Sequence, residues 1–266
     1  MAALTEQQIH RHLETVQFGE TLIILPTIDS TNSYARREAL PHGAVVLAEE
    51  QTAGKGRMGR SWFAEAGQNI LMSVVLKPER PLHAIQIITL AAAVAVTDAF
   101  SNHLAVDGQV KWPNDVLIAG NKVCGILTEG QIRGPEFLTL VVGLGCNVNQ
   151  QPENFPADLL YPATSLAAEL GKRIDRNQLA ANIITSLEQW YRKIMDGESQ
   201  EVIARWKERC AHLNRRVKIV LDDGTKAGIF RKVSADGAAV LQLSGGDTVT
   251  VTSGDLFWPE RGPEKK

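Results

Sequence analysis

Three cations, Lys55, Arg57 and Arg60, fall within the stretch GKGRMGR at positions 54–60, each beside a glycine. Glycine lets backbone N–H groups approach a ligand closely, and fixed positive charge suits phosphate or carboxylate oxygens. The stretch also fits two phosphate-binding patterns. Gly54, Gly56 and Gly59 make G-x-G-x-x-G, while Gly54, Gly59, Arg60 and Ser61 approach G-x-x-x-x-G-K-[ST] with arginine for lysine. Both patterns need a helix directly behind the last glycine, because the phosphate sits on that helix's N-terminus. Here SWFAEAGQ leads straight to the strand-like NILMSVVL, without a 3.6-residue period and with a glycine inside. Neither nucleotide fold is predicted. What remains is a basic loop that either gathers an anion or is a solvated hairpin tip.

Four other stretches carry groups able to hold or move charge: DSTN (29–32), QTAG (51–54), KWPND (111–115) with KVCGIL (122–127), and GLGCNVN (143–149). Each has an ordinary reading. Ser30, Thr31 and Asn32 cap a helix, and Gln51 adds loop polarity. Asn114 and Asp115 complete a Pro-Asn-Asp turn, and Asn147 ends a strand. Lys111 is a strand-end cation, and Lys122 a solvated lysine after a Gly-Asn turn. Gly54, Gly125 and Gly143 are turn or bulge glycines, and Trp62 anchors a loop to the core.

The elements that must position these groups follow from period and punctuation. A short helical lead precedes TLIILP, a strand closed by proline. DSTNSYARREAL starts a helix, AVVLAEE is a strand, and NILMSVVL another after the basic loop. Pro78 and Pro81 end that strand and open a long apolar helix to about Leu104. Strands are predicted around QVKWP, VLIAG and KVCGILTE, then over FLTLVVGLGCNV. From Ala163 to Cys210 the chain reads as helices. Beyond Asn214, short β segments alternate with Asp-Gly and Gly-Gly turns. The fold expected is α+β: a central mixed β-sheet flanked by helices over 1–212, and a small C-terminal β-barrel with a polar tail over 213–266.

Composition narrows the setting. The chain has 266 residues, 44% hydrophobic and 22% charged, with a formal net charge of −2. No global basic field points to nucleic acid. IITLAAAVAV is too short to span a bilayer, and the N-terminus lacks the basic-then-apolar order of a signal peptide. Cys124, Cys146 and Cys210 are odd in number and form no C-x-x-C pair, which fits buried thiols in a reducing cytosol. A cytoplasmic protein without membrane or nucleic-acid partners is expected.

Taken together, DSTN, QTAGKGRMGR-x-W, KWPND, K-x-x-GIL-x-E and GLG-x-N-x-N closely resemble, in order and spacing, the motifs of the biotin protein ligases. The resemblance runs from about Thr21 to Phe257. It implies a class II synthetase-like catalytic domain and a two-step reaction. Biotin's carboxylate attacks the α-phosphate of MgATP to give biotinyl-5′-adenylate and pyrophosphate. A lysine of a biotin carboxyl carrier domain of acetyl-CoA carboxylase then attacks the mixed anhydride and releases AMP. ATP, Mg2+ and biotin are thus the implied cofactors and substrate, with no protein metal ligand assigned.

By this resemblance Arg57 and Lys122 supply charge to the carboxylate and phosphoryl oxygens, supported by Lys55, Arg60 and Lys111. Ser30, Thr31 and Gln51 hydrogen-bond biotin's ureido head, and Asn32 belongs to the same biotin site, with Gly54, Gly125 and Gly143 giving room. Trp62 covers the adenylate or the biotin tail, Asn114 contacts nucleotide, and Asn147 closes the adenine and ribose side. Asp115 orients the incoming lysine and helps deprotonate it. A free lysine is neutral only about once in a thousand at pH 7.4, so that help matters.

Two departures stand out. Tyr161-Pro162-Ala163 lies where some family members offer adenine a tryptophan, and Lys55 replaces a frequent arginine. No adenine-stacking residue is assigned. The short lead before TLIILP is too little for a helix-turn-helix domain of about three helices, so a ligase without operator binding is expected. The alternatives are a lipoate–protein ligase of related fold and a biotin-sensing regulator. Both a monomer and a homodimer agree with the resemblance.

Overall fold

The computed structural model describes residues 3–79, 82, 84–133 and 136–258. Pro81 and the polar tail from residue 259 onward lie outside the described residues. In chain order the elements are α1 (Glu6–His12), β1 (Leu22–Ile28), α2 (Thr31–Arg37), β2 (Val45–Gln51), β3 (Ile70–Leu76) and α3 (Ile85–Leu104). There follow β4 (Gln109–Lys111), β5 (Asp115–Ile118), β6 (Asn121–Arg133) and β7 (Glu136–Cys146). Helices α4 (Leu166–Leu170), α5 (Arg176–Met195) and α6 (Ser199–Arg209) lead to β8 (Arg216–Leu221), β9 (Gly224–Val233), β10 (Ala239–Gln242), β11 (Thr248–Val251) and β12 (Asp255–Phe257).

Seven strands form one sheet in the order β1-β2-β3-β7-β6-β5-β4. Only β1 and β2 run parallel; the other neighbours are antiparallel, so the sheet is mixed as expected. Strand β3, ILMSVVL, is buried at every position. That explains its continuous rather than alternating apolar run, because both faces of this central strand are covered.

The pleat sends alternate residues to opposite faces. Ile70, Met72 and Val74 of β3, Leu140, Val142 and Leu144 of β7, and Cys124 and Ile126 of β6 join the main core with α3 and α5. Helix α3 is long and apolar enough to cross a membrane by length and composition, but it lies mostly buried in this core. The free cysteines Cys124 and Cys146 face each other across β6 and β7 within it. On the other face, Val75 and Val141 pack under α2 with Ala35, Ala44 and Val46. Beyond that cluster the same face turns polar and glycine-rich, with Ser73, Gly125, Gly143 and Gly145. This is where a cleft opens.

The expected C-terminal β unit is present as five antiparallel strands in the order β11-β10-β9-β8-β12. It joins the main sheet through an aromatic plug. Trp206 of α6, His212, Phe230 and Trp258 are all buried, with His212 and Phe230 ring centroids 4.4 Å apart. Trp112 donates its indole N–H to Gly237 O at 3.1 Å, fixing the KWPND corner against this unit.

Candidate active site

One wall of the cleft starts where β1 turns into α2. Thr31 donates both its backbone N–H (2.7 Å) and its hydroxyl (3.1 Å) to Gln51 Oε1 at the end of β2. The Ser73 hydroxyl lies 2.7 Å from Thr31 Oγ1 and 2.6 Å from Asn32 Oδ1. Asn32 Nδ2 donates to Leu127 O and to Glu129 Oε2. Asn32 is therefore held from several sides and pressed onto β7, where a Cβ on Gly143 would fall 2.3 Å from its Oδ1. A rigid polar corner with Ser30, Thr31 and Gln51 at its surface suits a small ligand that offers both donors and acceptors.

The basic loop has no helix behind it, as its sequence predicts. Gly56 N–H donates to Arg60 O at 2.7 Å, and Trp62 N–H to Gly54 O at 2.9 Å, closing a tight turn over 57–59. Lys55 reaches back to the Ser33 hydroxyl at 2.8 Å. Arg57 donates to Asn114 Oδ1 (3.4 Å) and to Gly254 O (3.3 Å). Arg60 pairs with Asp255 at 2.7 Å. Both arginines thus lean on the start of β12, so the C-terminal unit forms part of the cleft.

Opposite the loop stands a charged triad. Lys122 Nζ is 2.6 Å from Asp115 Oδ1, and Lys111 Nζ is 3.3 Å from Asp115 Oδ2. Burial alone would raise the Asp115 carboxyl, but Lys122 and Lys111 together pull it below the usual carboxylate range. Burial pushes Lys111 down to about 8 against the pull of Asp115. Lys122 itself is fixed by its backbone: its N–H donates to Pro162 O, and its carbonyl accepts from Thr164. Asn114 donates to Ile126 O at 2.7 Å, which holds the turn against β6.

Trp62 covers the floor between these walls. Its ring lies over Gly125 and Gly145, and Lys122 Nζ stands 5.4 Å from the ring centroid. Asn147 donates Nδ2 to Thr164 O, while its buried Oδ1 has no hydrogen-bond partner among the described residues. An acceptor left over at a cleft wall suits a ligand donor.

Ser30, Thr31, Asn32, Gln51, Lys55, Arg57, Arg60, Trp62, Asn114, Asp115, Lys122, Gly125, Gly143 and Asn147 all line one cleft, with open space of about 1170 Å³, solvent at its mouth included. Two expected residues stand elsewhere. Gly54 lies beneath the loop, where its carbonyl holds Trp62. Lys111 is 3% exposed and sits one layer behind, its ammonium 3.4 Å from the centroid of the Tyr161 ring. Tyr161 donates its hydroxyl to Leu256 O at 2.8 Å and stacks on Phe257. It lines the cleft at the joint between the two sheets, its ring in contact with Lys111 and Phe257.

Several groups of the site escaped the sequence reading, Ser73 from beneath the wall and the others from its lining. Ser73 carried a signal, a hydroxyl inside an apolar strand. Gly145 shared a motif with Gly143. Asp255, and the apolar lip of Phe63, Phe155, Leu159 and Leu160, carried none.

Residues 24–147 match the model of the "Biotin/lipoate A/B protein ligase family", and residues 212–257 match the "Biotin protein ligase C terminal domain". The biotin–[acetyl-CoA-carboxylase] ligase of Mycobacterium tuberculosis is 37% identical over 224 residues, covering 80% of this chain and 78% of that one. The chain belongs to the biotin protein ligase family. The bifunctional ligase/repressor BirA of Bacillus subtilis is 35% identical over 246 residues, covering 91% of this chain and 76% of that protein. Among solved structures, the biotin protein ligase of Aquifex aeolicus in complex with biotin and ATP superposes with a TM-score of 0.80 at 26% identity. That match covers 90% of this chain and 99% of the other. This family member is a ligase, built as a mixed sheet plus a C-terminal β unit.

Proposed function

We propose that this ligase activates biotin with MgATP to biotinyl-5′-adenylate and pyrophosphate, then passes biotin to a lysine of a carrier domain of acetyl-CoA carboxylase. The observation that carries this reading is the meeting of Arg57, Arg60 and Lys122 across one cleft, with Asp115 beside Lys122. An anionic carboxylate approaches a polyphosphate only where fixed positive charge offsets their repulsion, and a partly dry cleft strengthens that charge. The polar corner of Ser30, Thr31 and Gln51 receives the ureido head. Asn147 offers its spare acceptor to the adenine or ribose. Magnesium arrives with the nucleotide.

In the second step Asp115, kept ionised by its two lysines, orients the incoming ammonium and helps it give up its proton. The lining of the cleft supports one active centre for both steps, because the adenylate need not leave before transfer. The names of the relatives support biotin as the acid and the carboxylase carrier as the partner. The reading further places the enzyme in the cytosol, free of operator DNA and membrane, with the 51–68 loop closing over the adenylate.

Exchange of labelled pyrophosphate into ATP, with biotin or lipoate as the acid, tests this reading. The second assay is transfer to a purified carrier domain, seen on a streptavidin blot. Biotin-dependent exchange and transfer are expected; exchange supported by lipoate alone would overturn the assignment.

A further inference from the structure

Lys111 is a buried cation that the proposed chemistry leaves without direct contact to substrate. It stands behind the cleft wall, 3.3 Å from Asp115 Oδ2 and 3.4 Å from the centroid of Tyr161. The other oxygen of that carboxylate holds Lys122 at 2.6 Å. Tyr161 in turn donates to Leu256 O at 2.8 Å and stacks on Phe257, with ring centroids 5.2 Å apart. Leu256 and Phe257 both belong to β12. One line of direct contacts therefore runs from the last strand of the C-terminal unit, through Tyr161 and Lys111, to the carboxylate beside Lys122.

Each link has a physical job. A carboxylate gripped at both oxygens is fixed in angle; one gripped at a single oxygen swings toward its remaining partner. A desolvated ammonium over an aromatic face is held by the ring quadrupole, so moving Tyr161 moves Lys111. An apolar side chain would occupy the place of Lys111 with less desolvation cost, which makes its charge the feature that needs a reason.

We propose that Lys111 and Tyr161 are positioning residues through which the C-terminal sheet sets the angle of Asp115 and the reach of Lys122. The C-terminal unit thereby takes part in the transfer step without touching the carrier lysine. This rests on the roles given above to Asp115 and Lys122.

The titratable groups facing Lys111 are Asp115 from β5, Lys122 from β6, Asp255 from β12 and the neutral His212 from the α6–β8 joint, with Tyr161 over the ammonium. Burial, opposed by the carboxylates and aided by Lys122, lowers Lys111 to about 8. Its grip on Asp115 is therefore present at neutral pH and is lost as pH rises through that value. Over the same range an attacking lysine becomes more reactive, so the two trends oppose each other.

The test uses the full chain in two assays: single-turnover transfer from preformed biotinyl-adenylate to a carrier domain, and biotin-dependent pyrophosphate exchange. Tyr161→Phe keeps the ring over Lys111 and cuts only the bond to Leu256. It is expected to slow transfer by about tenfold while exchange falls less. Lys111→Met is expected to slow transfer on the order of 100-fold, as for a misplaced reacting group. The double variant should be no slower than Lys111→Met, because both act through one carboxylate. The wild-type loss of transfer rate near pH 8 should be missing in Lys111→Met. Additive losses, an unchanged alkaline limb, or wild-type transfer rates in both single variants would overturn the proposal. A wild-type chain that performs neither half-reaction would instead overturn the function on which it rests.

Discussion

Trp62 lies directly over Gly145: a Cβ on that glycine would fall 2.3 Å from the indole Cε2 atom, and one on Gly125 would fall 2.7 Å from Cζ3. No side chain larger than hydrogen fits beneath this ring. Gly145→Ala is therefore expected to lift Trp62 off the floor and weaken biotin and nucleotide binding in calorimetric titration. Such overpacking costs about 1–3 kcal/mol, visible as a lower melting temperature.

The two half-reactions should separate by residue. Lys122→Ala removes charge from the anionic centre and is expected to lower pyrophosphate exchange on the order of 100- to 1000-fold. Asp115→Asn keeps the shape but not the negative charge, so transfer to a carrier lysine is expected to fall further than exchange, by about 100-fold or more. Equal losses in both assays would contradict the division of roles.

The basic loop should respond to its ligands. Hydrogen exchange over residues 51–68 is expected to slow when biotin and ATP are both present, since closure over the adenylate keeps water from the anhydride. Equal exchange in loaded and free protein would count against it.

Acid sensitivity is expected at the joint between the sheets. Burial, followed by Lys111 and Arg215, lowers His212 from 6.5 to about 3. The unfolded chain takes up that proton below pH 6.5 while the folded chain refuses it until about 3. His212 thus contributes stability that is full above 6.5 and lost progressively as pH falls toward 3. Denaturant midpoints measured across this range should drop less steeply for His212→Phe than for the wild type.

The N-terminal lead is tied down by one carboxylate. Glu188, 4% exposed, accepts from the backbone N–H groups of Val16, Gln17 and Phe18 at 2.7 to 2.9 Å. Glu188→Ala would orphan all three donors and is expected to cost at least about 3 kcal/mol. Faster amide exchange at residues 16–18 would confirm the cause.

Much of the architecture can be read from local pattern. The run SWFAEAGQ rules out a helix behind GKGRMGR, because it has neither the length nor the period for one, and among the described residues no helix stands between Gly59 and β3. The Asp-Gly and Gly-Gly turns beyond Asn214 mark off the second sheet, and the ordered motifs between Thr21 and Phe257 mark the family. Spacing of this kind survives in the sequence because it depends on neighbours along the chain.

Other features depend on which distant segments share a face, and these only the tertiary structure decides. Cys124 and Gly125 are adjacent in sequence, yet one is core and the other cleft floor, because the pleat alternates and register with β7 fixes which face is which. Asp255 reaches Arg60 across 195 positions because β12 docks beside the loop. Lys111 reads like a ligand-binding lysine in KWPND, but Tyr161 stands between it and the cleft. Tyr161 sits where an adenine-stacking ring was in question, and its hydroxyl and ring are committed to β12. The sequence by itself determined the chemistry available and the order in which it is strung. Packing of two sheets decided which charges meet the ligand and which ones hold those charges in place, since burial and direction are properties of the assembled core.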